Sequence, residues 1–289
     1  MLIWLAVAPV LLGQEVPTTS ASQAARAPTS AATGTVLFIG NSLFYAHGSP
    51  VRFYRAQTVT DLNGGGVGGV PALFKFFTEQ AGLNFTVSLE TVGAKDLYYH
   101  LQNKREIIGR PWDYVVMQSI TNLDHDKPGD PASLVRSAKQ IAEFLHSKNP
   151  RADIRLVATW ARADEVYPES GHWHGRPVEA MAKDIRAGYD LAAASTPFIH
   201  GVVPVGDAWN RAIKTGFADP NPYDGIAPGQ IDLWTYDHHH ASALGYYLEA
   251  LMIFGDLTGL DPRSLGKAER AAFELGFSPD QTIALQQVA

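Results

Sequence analysis

The sequence predicts an α/β fold in which helices cover both faces of a mainly parallel sheet. Apolar, β-rich segments alternate along the chain with segments whose apolar residues recur at helical spacing. The first β-rich segment, Thr35–Ile39, is unbroken, as expected for a strand that is buried on both faces. No internal repeat or linker divides the sequence after residue 33. We therefore expect one three-layer domain, residues 34–289.

The strands follow from the β-rich segments. Phe85, Val87 and Leu89 alternate with polar residues, and Gly93 comes directly after that segment. Pro204 cannot donate to a sheet ladder, so it is expected near the end of a strand or at a sheet edge. The predicted strands are Thr35–Ile39, Phe85–Val92, Trp112–Met117, Ile154–Thr159 and Phe198–Val205.

The helices are predicted from apolar residues at helical spacing, such as Leu134, Ala138 and Ile141. A glycine-rich segment, residues 63–71, precedes the first of them and predicts a mobile loop near the functional site. Residues 49–60 are compatible with the start of a helix, and residues 262–289 with a helical or loosely packed tail. The predicted helices are Ala72–Ala81, Leu97–Ile108, Pro131–Ser147, Val178–Ala194 and Ser242–Leu257.

Composition excludes several functions. The 289-residue chain carries a formal net charge of −6, so no basic surface favours nucleic acid as a partner. It contains no cysteine, which excludes disulfides, thiolate catalysis and cysteine-based zinc sites.

The N-terminal segment predicts export. Met1–Leu12 is apolar but too short for a typical membrane span, and it fits the core of a signal peptide. Residues 14–33 are rich in Ala, Ser, Thr, Pro and Gln, which is typical of a disordered leader. We expect residues 1–33 to be a signal peptide and leader, and the mature chain to be secreted or periplasmic without a membrane span. A disordered cytoplasmic tail is the alternative interpretation.

Two distant polar motifs carry the candidate chemistry. Gly40-Asn41-Ser42-Leu43 follows the first strand, and Asp237-His238-His239-His240 precedes the last long helix. A serine nucleophile needs a base that accepts its proton, and His240 is the candidate. Asp237 is three residues earlier and can orient the imidazole and stabilise its charged form. The alternative for Ser42 is a helix cap without catalytic function.

These motifs resemble those of the SGNH, or GDSL, hydrolases. Gly40-Asn41-Ser42-Leu43 is similar to the family's Gly-Asp-Ser-Leu block with Asn in place of Asp, and residues 237–240 match its Asp-x-x-His block. Ser242 and Gly245 then resemble the family's His-x-Ser-x-x-Gly continuation. The resemblance covers about residues 35–260 and implies a flavodoxin-like sheet and ester hydrolysis through an acyl-enzyme.

The same resemblance implies an oxyanion hole formed by the backbone N–H of Ser42, a glycine and an amide side chain. Gly93 fits the glycine position because it ends a strand and has no Cβ to obstruct a substrate. The family's Gly-x-Asn block has no full counterpart here. Asn122 fits by its distance from the strand start, whereas Gln118 fits relatives that carry Gln near the strand end. Both stay open as the third donor.

A metal site is the competing interpretation of the histidine run. His238, His239 and His240 lie beside an Asp, but successive side chains of an extended segment point in opposite directions. The sequence also has no HExxH motif. We therefore expect neither a metal nor a cofactor.

The sequence thus favours a serine esterase. The expected substrates are short-acyl, above all acetyl, esters of carbohydrates. This expectation follows from the export signal, from the acetylated sugars that the resemblance implies, and from loop tryptophans (Trp160, Trp173 and Trp234) that can stack on sugars. Packing in the core is the alternative for these tryptophans. Esters of lipids or aryl alcohols are the closest alternative. A third hypothesis is a module with the same fold that binds a glycan or another ligand without catalysis.

Overall fold

A computed structural model describes Met1 and residues 33–289 of the chain. The predicted signal peptide and nearly all of the leader lie outside the described residues. The described part contains a sheet of six strands, all of which pair in parallel. They are β1 (Thr33–Gly40), β2 (Thr60–Asp61), β3 (Asn84–Thr91), β4 (Tyr114–Met117), β5 (Asp153–Ala158) and β6 (Ile199–Pro204).

The strand order is β2-β3-β1-β4-β5-β6. Without the two-residue β2, this is the flavodoxin-like order 2-1-3-4-5, in which the direction of chain progression reverses beside the first strand. Ile39 near the end of β1 pairs with Glu90 on one side and with Met117 on the other. The loops that follow β1, β3 and β4 therefore meet at one edge of the sheet, where this class of fold binds its ligands.

Helices form a layer on each face of the sheet. The helices of the described part are α1 (Gly69–Gln80), α2 (Leu97–Asn103), α3 (Arg105–Ile108), α4 (Ala132–Lys148), α5 (Ala163–Val166), α6 (Val178–Ala194), α7 (Val205–Lys214), α8 (Ala243–Thr258), α9 (Arg270–Glu274) and α10 (Pro279–Val288). α1 packs against α8, whereas α2 and α6 pack against α4. The last five residues of β1 are all buried, as the unbroken apolar run predicted. The predicted three-layer α/β fold is confirmed.

Two local predictions were wrong. Residues 49–60 form two short 3₁₀ turns and then β2, because Arg55 adopts a left-handed backbone with φ +44° that interrupts a helix. The helix predicted over 97–108 is split into α2 and α3, because Lys104 leaves the helical region at φ −121° and ψ 9°. The strand predicted over 198–205 is confirmed as β6 and ends at Pro204 as expected; α7 then begins without a connecting loop.

The glycine-rich segment packs against the loop that carries Ser42. Gly69 has φ +63°, and a Cβ built on it would lie 2.2 Å from the carbonyl oxygen of Phe44. The next residue, Val70, donates its N–H to that same carbonyl at 2.9 Å. The end of the glycine run thus lets α1 begin directly beneath the loop after β1.

In residues 33–289, no helix combines the length and the apolar character that crossing a bilayer requires. The C-terminal residues end in α9 and α10, and α10 contacts α7 and α8.

Candidate active site

The loops after β1, β3 and β4 enclose a pocket with a volume of about 250 Å³. Ser42 comes from the first loop, Gly93 from the second and Asn122 from the third, and His240 reaches the pocket from the loop before α8. Four of the six residue positions predicted for the site therefore line one cavity. We call this cavity the pocket below.

Ser42, His240 and Asp237 form a continuous hydrogen-bonded chain. The Ser42 Oγ lies 2.9 Å from His240 Nε2, and His240 Nδ1 lies 2.6 Å from Asp237 Oδ2. Because a carboxylate only accepts hydrogen bonds, Nδ1 carries the proton and Nε2 is free to accept the hydroxyl proton of Ser42. This is the order of groups that activates a serine nucleophile.

The tight loop that carries Asp237 and His240 is fixed by the other oxygen of the same carboxylate. Asp237 Oδ1 accepts hydrogen bonds from the Thr235 hydroxyl at 2.8 Å and from the backbone N–H groups of His239 and His240 at 3.1 and 2.9 Å. Thr235 also donates its N–H to the His240 carbonyl at 2.8 Å. These bonds hold the carboxylate against the imidazole without help from another strand.

The environment keeps Asp237 charged and His240 neutral. Burial pulls the pKa of Asp237 upward, but the backbone and ring of His240 donate hydrogen bonds that outweigh burial and hold this pKa well below its ordinary range. Burial lowers the pKa of His240 below 6.5, although the neighbouring Asp237 carboxylate opposes the shift. A neutral imidazole beside a charged carboxylate is the resting state that a general base requires.

Asn41 ties the three loops together directly beside Ser42. Its Nδ2 donates to the carbonyl of Lys95, in the loop after β3, at 3.2 Å, and to the carbonyl of Ser119, in the loop after β4, at 3.1 Å. Its Oδ1 accepts the N–H of Leu43 at 3.2 Å. Asn41 is 3% exposed, so these bonds form out of water. An Asp at this position has no proton to donate to the two carbonyls when ionised.

Three residues that line the pocket carry hydrogen-bond donors without an acceptor in the described part of the chain. Among the described residues, the N–H groups of Ser42 and Gly93 and the side-chain amide of Asn122 have no hydrogen-bond acceptor. A Cβ on Gly93 would lie 2.7 Å from the Tyr45 hydroxyl, so a larger residue here would force the Tyr45 side chain to shift. Hydrogen-bond donors without a partner can stabilise an oxyanion that develops beside a serine nucleophile.

Gln118, the second candidate for the third donor, lies elsewhere. Its side chain is fully buried and donates to Glu249 of α8 at 3.1 Å, and it does not line the pocket. The amide side chain of Asn122 is therefore the candidate that the geometry favours. Burial raises the pKa of Glu249 well above 4.5, which keeps this carboxyl neutral inside the core.

The histidine run does not converge on one point. His238 has φ +56°, and its ring packs on Tyr223 at 4.3 Å between centroids. His239 stacks on His240 at 4.2 Å, and burial together with the charge of Arg162 lowers its pKa to about 3. Arg162 lines the pocket, but its guanidinium is paired with Asp164 at 2.5 Å.

The sequence analysis missed His47, which lies five residues after Ser42. Its ring centroid is 4.6 Å from that of His240, and the ligand atoms of His47, Asp237 and His240 lie within 4.8 Å of one another. Both ring nitrogens of His240 are already hydrogen-bonded, one to Asp237 and one to Ser42. Within this cluster, His240 therefore has no free ring nitrogen for a metal ion.

The loop tryptophans are not sugar platforms. Trp160, Trp173 and Trp234 are 0%, 0% and 2% exposed. Trp160 stacks on Trp209 at 4.8 Å, and its indole N–H donates to the carbonyl of His239 at 3.1 Å. Trp160 thus contacts the loop before α8 from within the core.

Comparison with known proteins identifies the fold. A crystal structure of a DUF4886 family protein from Bacteroides uniformis matches with a TM-score of 0.59 and 18% identity, over 89% of this chain and 93% of that one. A putative GDSL-like lipase from Parabacteroides merdae matches with a TM-score of 0.54 and 18% identity, over 78% and 95% of the two chains. This chain has the SGNH/GDSL hydrolase fold.

Another solved structure agrees with that fold. TesA matches with a TM-score of 0.51 and 15% identity, and the match covers 78% of this chain and 98% of TesA. No family model matches the sequence, and no curated protein matches it either.

Proposed function

We propose that the protein is a serine esterase that hydrolyses carboxylic esters through an acyl-enzyme. The observation that carries the proposal is the chain of hydrogen bonds from Ser42 through His240 to Asp237, at 2.9 and 2.6 Å. It lies in a pocket at the edge of the sheet where this fold binds ligands. The apolar segment Met1–Leu12 supports export of the enzyme.

The first half of the reaction acylates the enzyme. Ser42 Oγ attacks the ester carbonyl carbon while His240 Nε2 takes the hydroxyl proton, and the carbonyl π electrons move to the oxygen. The resulting oxyanion accepts hydrogen bonds from the N–H groups of Ser42 and Gly93 and from the Asn122 amide. When the tetrahedral intermediate collapses, the ester C–O bond breaks and His240 gives its proton to the departing alcohol.

The second half repeats these steps with water. His240 removes a proton from water, the hydroxide oxygen adds to the acyl carbon, and the Ser42 Oγ leaves with the proton that His240 returns. Asp237 stays charged throughout and stabilises the imidazolium that forms twice in each turnover. In both halves of the reaction, His240 accepts the proton and later returns it.

The size of the pocket supports a short acyl group. Its volume of about 250 Å³ lies below the ~300–1,000 Å³ of pockets that enclose drug-sized ligands. Tyr45, Ile120 and Leu43 also line it and limit the space around Ser42. Acetyl esters fit these limits better than long-chain lipid esters do.

The proposed alcohol is a carbohydrate. Tyr236 is 77% exposed, and its ring lies 3.6 Å from the Cβ position of Gly48, which follows the pocket residue His47. An exposed aromatic ring near the pocket can stack on a sugar. We expect Tyr236→Ala to raise KM for an acetylated oligosaccharide and to leave KM for p-nitrophenyl acetate unchanged. An equal KM for the oligosaccharide in both proteins would reject this assignment.

Ser42→Ala tests the esterase proposal. With p-nitrophenyl acetate we expect kcat to fall by about 10⁴ or more, because only binding and oxyanion stabilisation remain. The same melting temperature in both proteins would show that the fold is intact. Turnover close to that of the wild type would reject Ser42 as the nucleophile. Absence of turnover in the wild type on a panel of esters of increasing acyl length would favour the ligand-binding hypothesis.

A further inference from the structure

The hydroxyl of Tyr45 lies beside Gly93, and both residues line the pocket. Tyr45 follows Ser42 by three residues in the same loop and lines the pocket with it. The nearest atom to a Cβ built on Gly93 is the Tyr45 hydroxyl oxygen, at 2.7 Å, whereas the ring carbon that carries it is at 3.7 Å. The hydroxyl therefore points at the backbone of Gly93.

The ring of Tyr45 is held in this position from two sides. The guanidinium carbon of Arg52 lies 4.8 Å from its centroid, which is a cation–π contact. The ring of His47 contacts it edge-on, with the centroids 6.2 Å apart. Neither contact involves the hydroxyl group, so its position is set by the packing of the ring.

The Tyr45 hydroxyl has no hydrogen-bond partner among residues 33–289, in contrast to the hydroxyls of Tyr54, Tyr189 and Tyr247. The Tyr54 hydroxyl donates to Glu274 at 2.6 Å, that of Tyr247 donates to Glu269 at 2.9 Å, and that of Tyr189 accepts the N–H of Ser119 at 2.9 Å. A tyrosine hydroxyl in a protein usually finds such a partner when it is removed from water. The hydroxyl of Tyr45 instead lies beside Gly93, and both residues line the pocket.

We propose that the Tyr45 hydroxyl is a fourth hydrogen-bond donor to the bound ester, which makes Tyr45 a catalytic residue. It donates to the carbonyl oxygen of the ester, beside the Gly93 N–H. This hydrogen bond becomes stronger as negative charge develops on that oxygen. No covalent bond forms at Tyr45, and its proton stays on the phenol. The inference rests on the proposed esterase function.

Tyr45→Phe removes only the hydroxyl oxygen and keeps the ring contacts with Arg52 and His47. The loss of one oxyanion-hole donor costs about 10²–10³ in kcat in a well-studied serine hydrolase. We expect a loss of about 10² in kcat with p-nitrophenyl acetate, an unchanged KM and an unchanged melting temperature. The matched control is Tyr98→Phe, since Tyr98 is 55% exposed and lies outside the pocket lining.

The outcomes separate this inference from the esterase proposal. If the wild type shows Ser42-dependent turnover and Tyr45→Phe keeps kcat within about threefold, the inference is wrong and the esterase stands. A raised KM at unchanged kcat also overturns it, because the hydroxyl then binds ground state and transition state equally. If the wild type itself has no Ser42-dependent turnover, the esterase proposal fails first. A large loss in kcat at constant KM and melting temperature supports the inference.

Discussion

Asn41→Asp gives this chain the residue that the family's Gly-Asp-Ser-Leu block carries, and we expect it to be harmful here. The Asn41 amide donates two hydrogen bonds, to the carbonyls of Lys95 and Ser119, in a site that is 3% exposed. An ionised carboxylate at this position would replace both donors by a negative oxygen that faces two carbonyl oxygens. The bond that Leu43 donates is kept, because it ends on the retained oxygen.

The cost follows from the groups left without partners. Each buried carbonyl that loses its donor costs about 1–3 kcal/mol, so the two together give about 4 kcal/mol near pH 7. For a chain of this size that lowers the melting temperature by about 10 °C. The loops of Ser42, Gly93 and Asn122 lose their common tie, and a displacement of about 1 Å at the reacting groups reduces kcat by about 10².

The assay is urea unfolding of Asn41→Asp, of Asn41→Ala and of the wild type near pH 7 and near pH 5. Burial raises the pKa of the new carboxyl, so protonation returns one O–H donor as the pH falls. The folded-state pKa then exceeds the unfolded value, and the deficit of Asn41→Asp grows as the pH rises through this window. The deficit of Asn41→Ala has no such dependence. Equal unfolding free energies for Asn41→Asp and the wild type at both pH values would refute the role assigned to Asn41.

Three further results are expected. In the pH profile of kcat/KM, the acid limb has its midpoint below pH 6.5, because burial lowers the pKa of His240 and only the neutral imidazole accepts a proton. A midpoint above pH 7 would contradict His240 as the general base. Glu249→Gln stabilises the fold more at about pH 8 than at about pH 5. The folded-state pKa of Glu249 is raised above 4.5, so the folded wild type holds an extra proton and its stability falls as the pH rises. A wild-type pH slope that persists in the variant, measured by urea unfolding, would count against this. Dialysis against EDTA leaves kcat unchanged because both ring nitrogens of His240 are already hydrogen-bonded, Nδ1 to Asp237 and Nε2 to Ser42. A loss of kcat that Zn²⁺ restores would support the metal hypothesis.

The fold was predictable because burial leaves a periodic trace in the sequence. The unbroken run at Thr35–Ile39 has to be covered on both faces, and it became the central strand β1. Elements without such a trace were missed: β2 has only two residues, and α7 follows Pro204 with no polar loop to mark its start. The split at Lys104 depends on a single backbone conformation that composition does not reveal.

The site was predictable only where short motifs fix the geometry. The three-residue spacing of Asp237 and His240 is sufficient for one tight loop to join them, and the structure brings Ser42 to that loop; their catalytic roles stay predictions. The choice between Gln118 and Asn122 depended on side-chain direction at the end of β4, which spacing does not determine. Tyr45 lies in an irregular loop, where no periodicity indicates which side chains face the pocket.

Covalent labelling tests the central claim most directly. The wild-type protein and the Ser42→Ala and His240→Ala variants are treated with a fluorophosphonate, and intact mass and peptide mapping locate the adduct. We expect one adduct on Ser42 in the wild type, none in Ser42→Ala and strongly slowed labelling in His240→Ala. A wild type that stays unlabelled, or an adduct of equal yield in Ser42→Ala, would contradict an activated serine at this position.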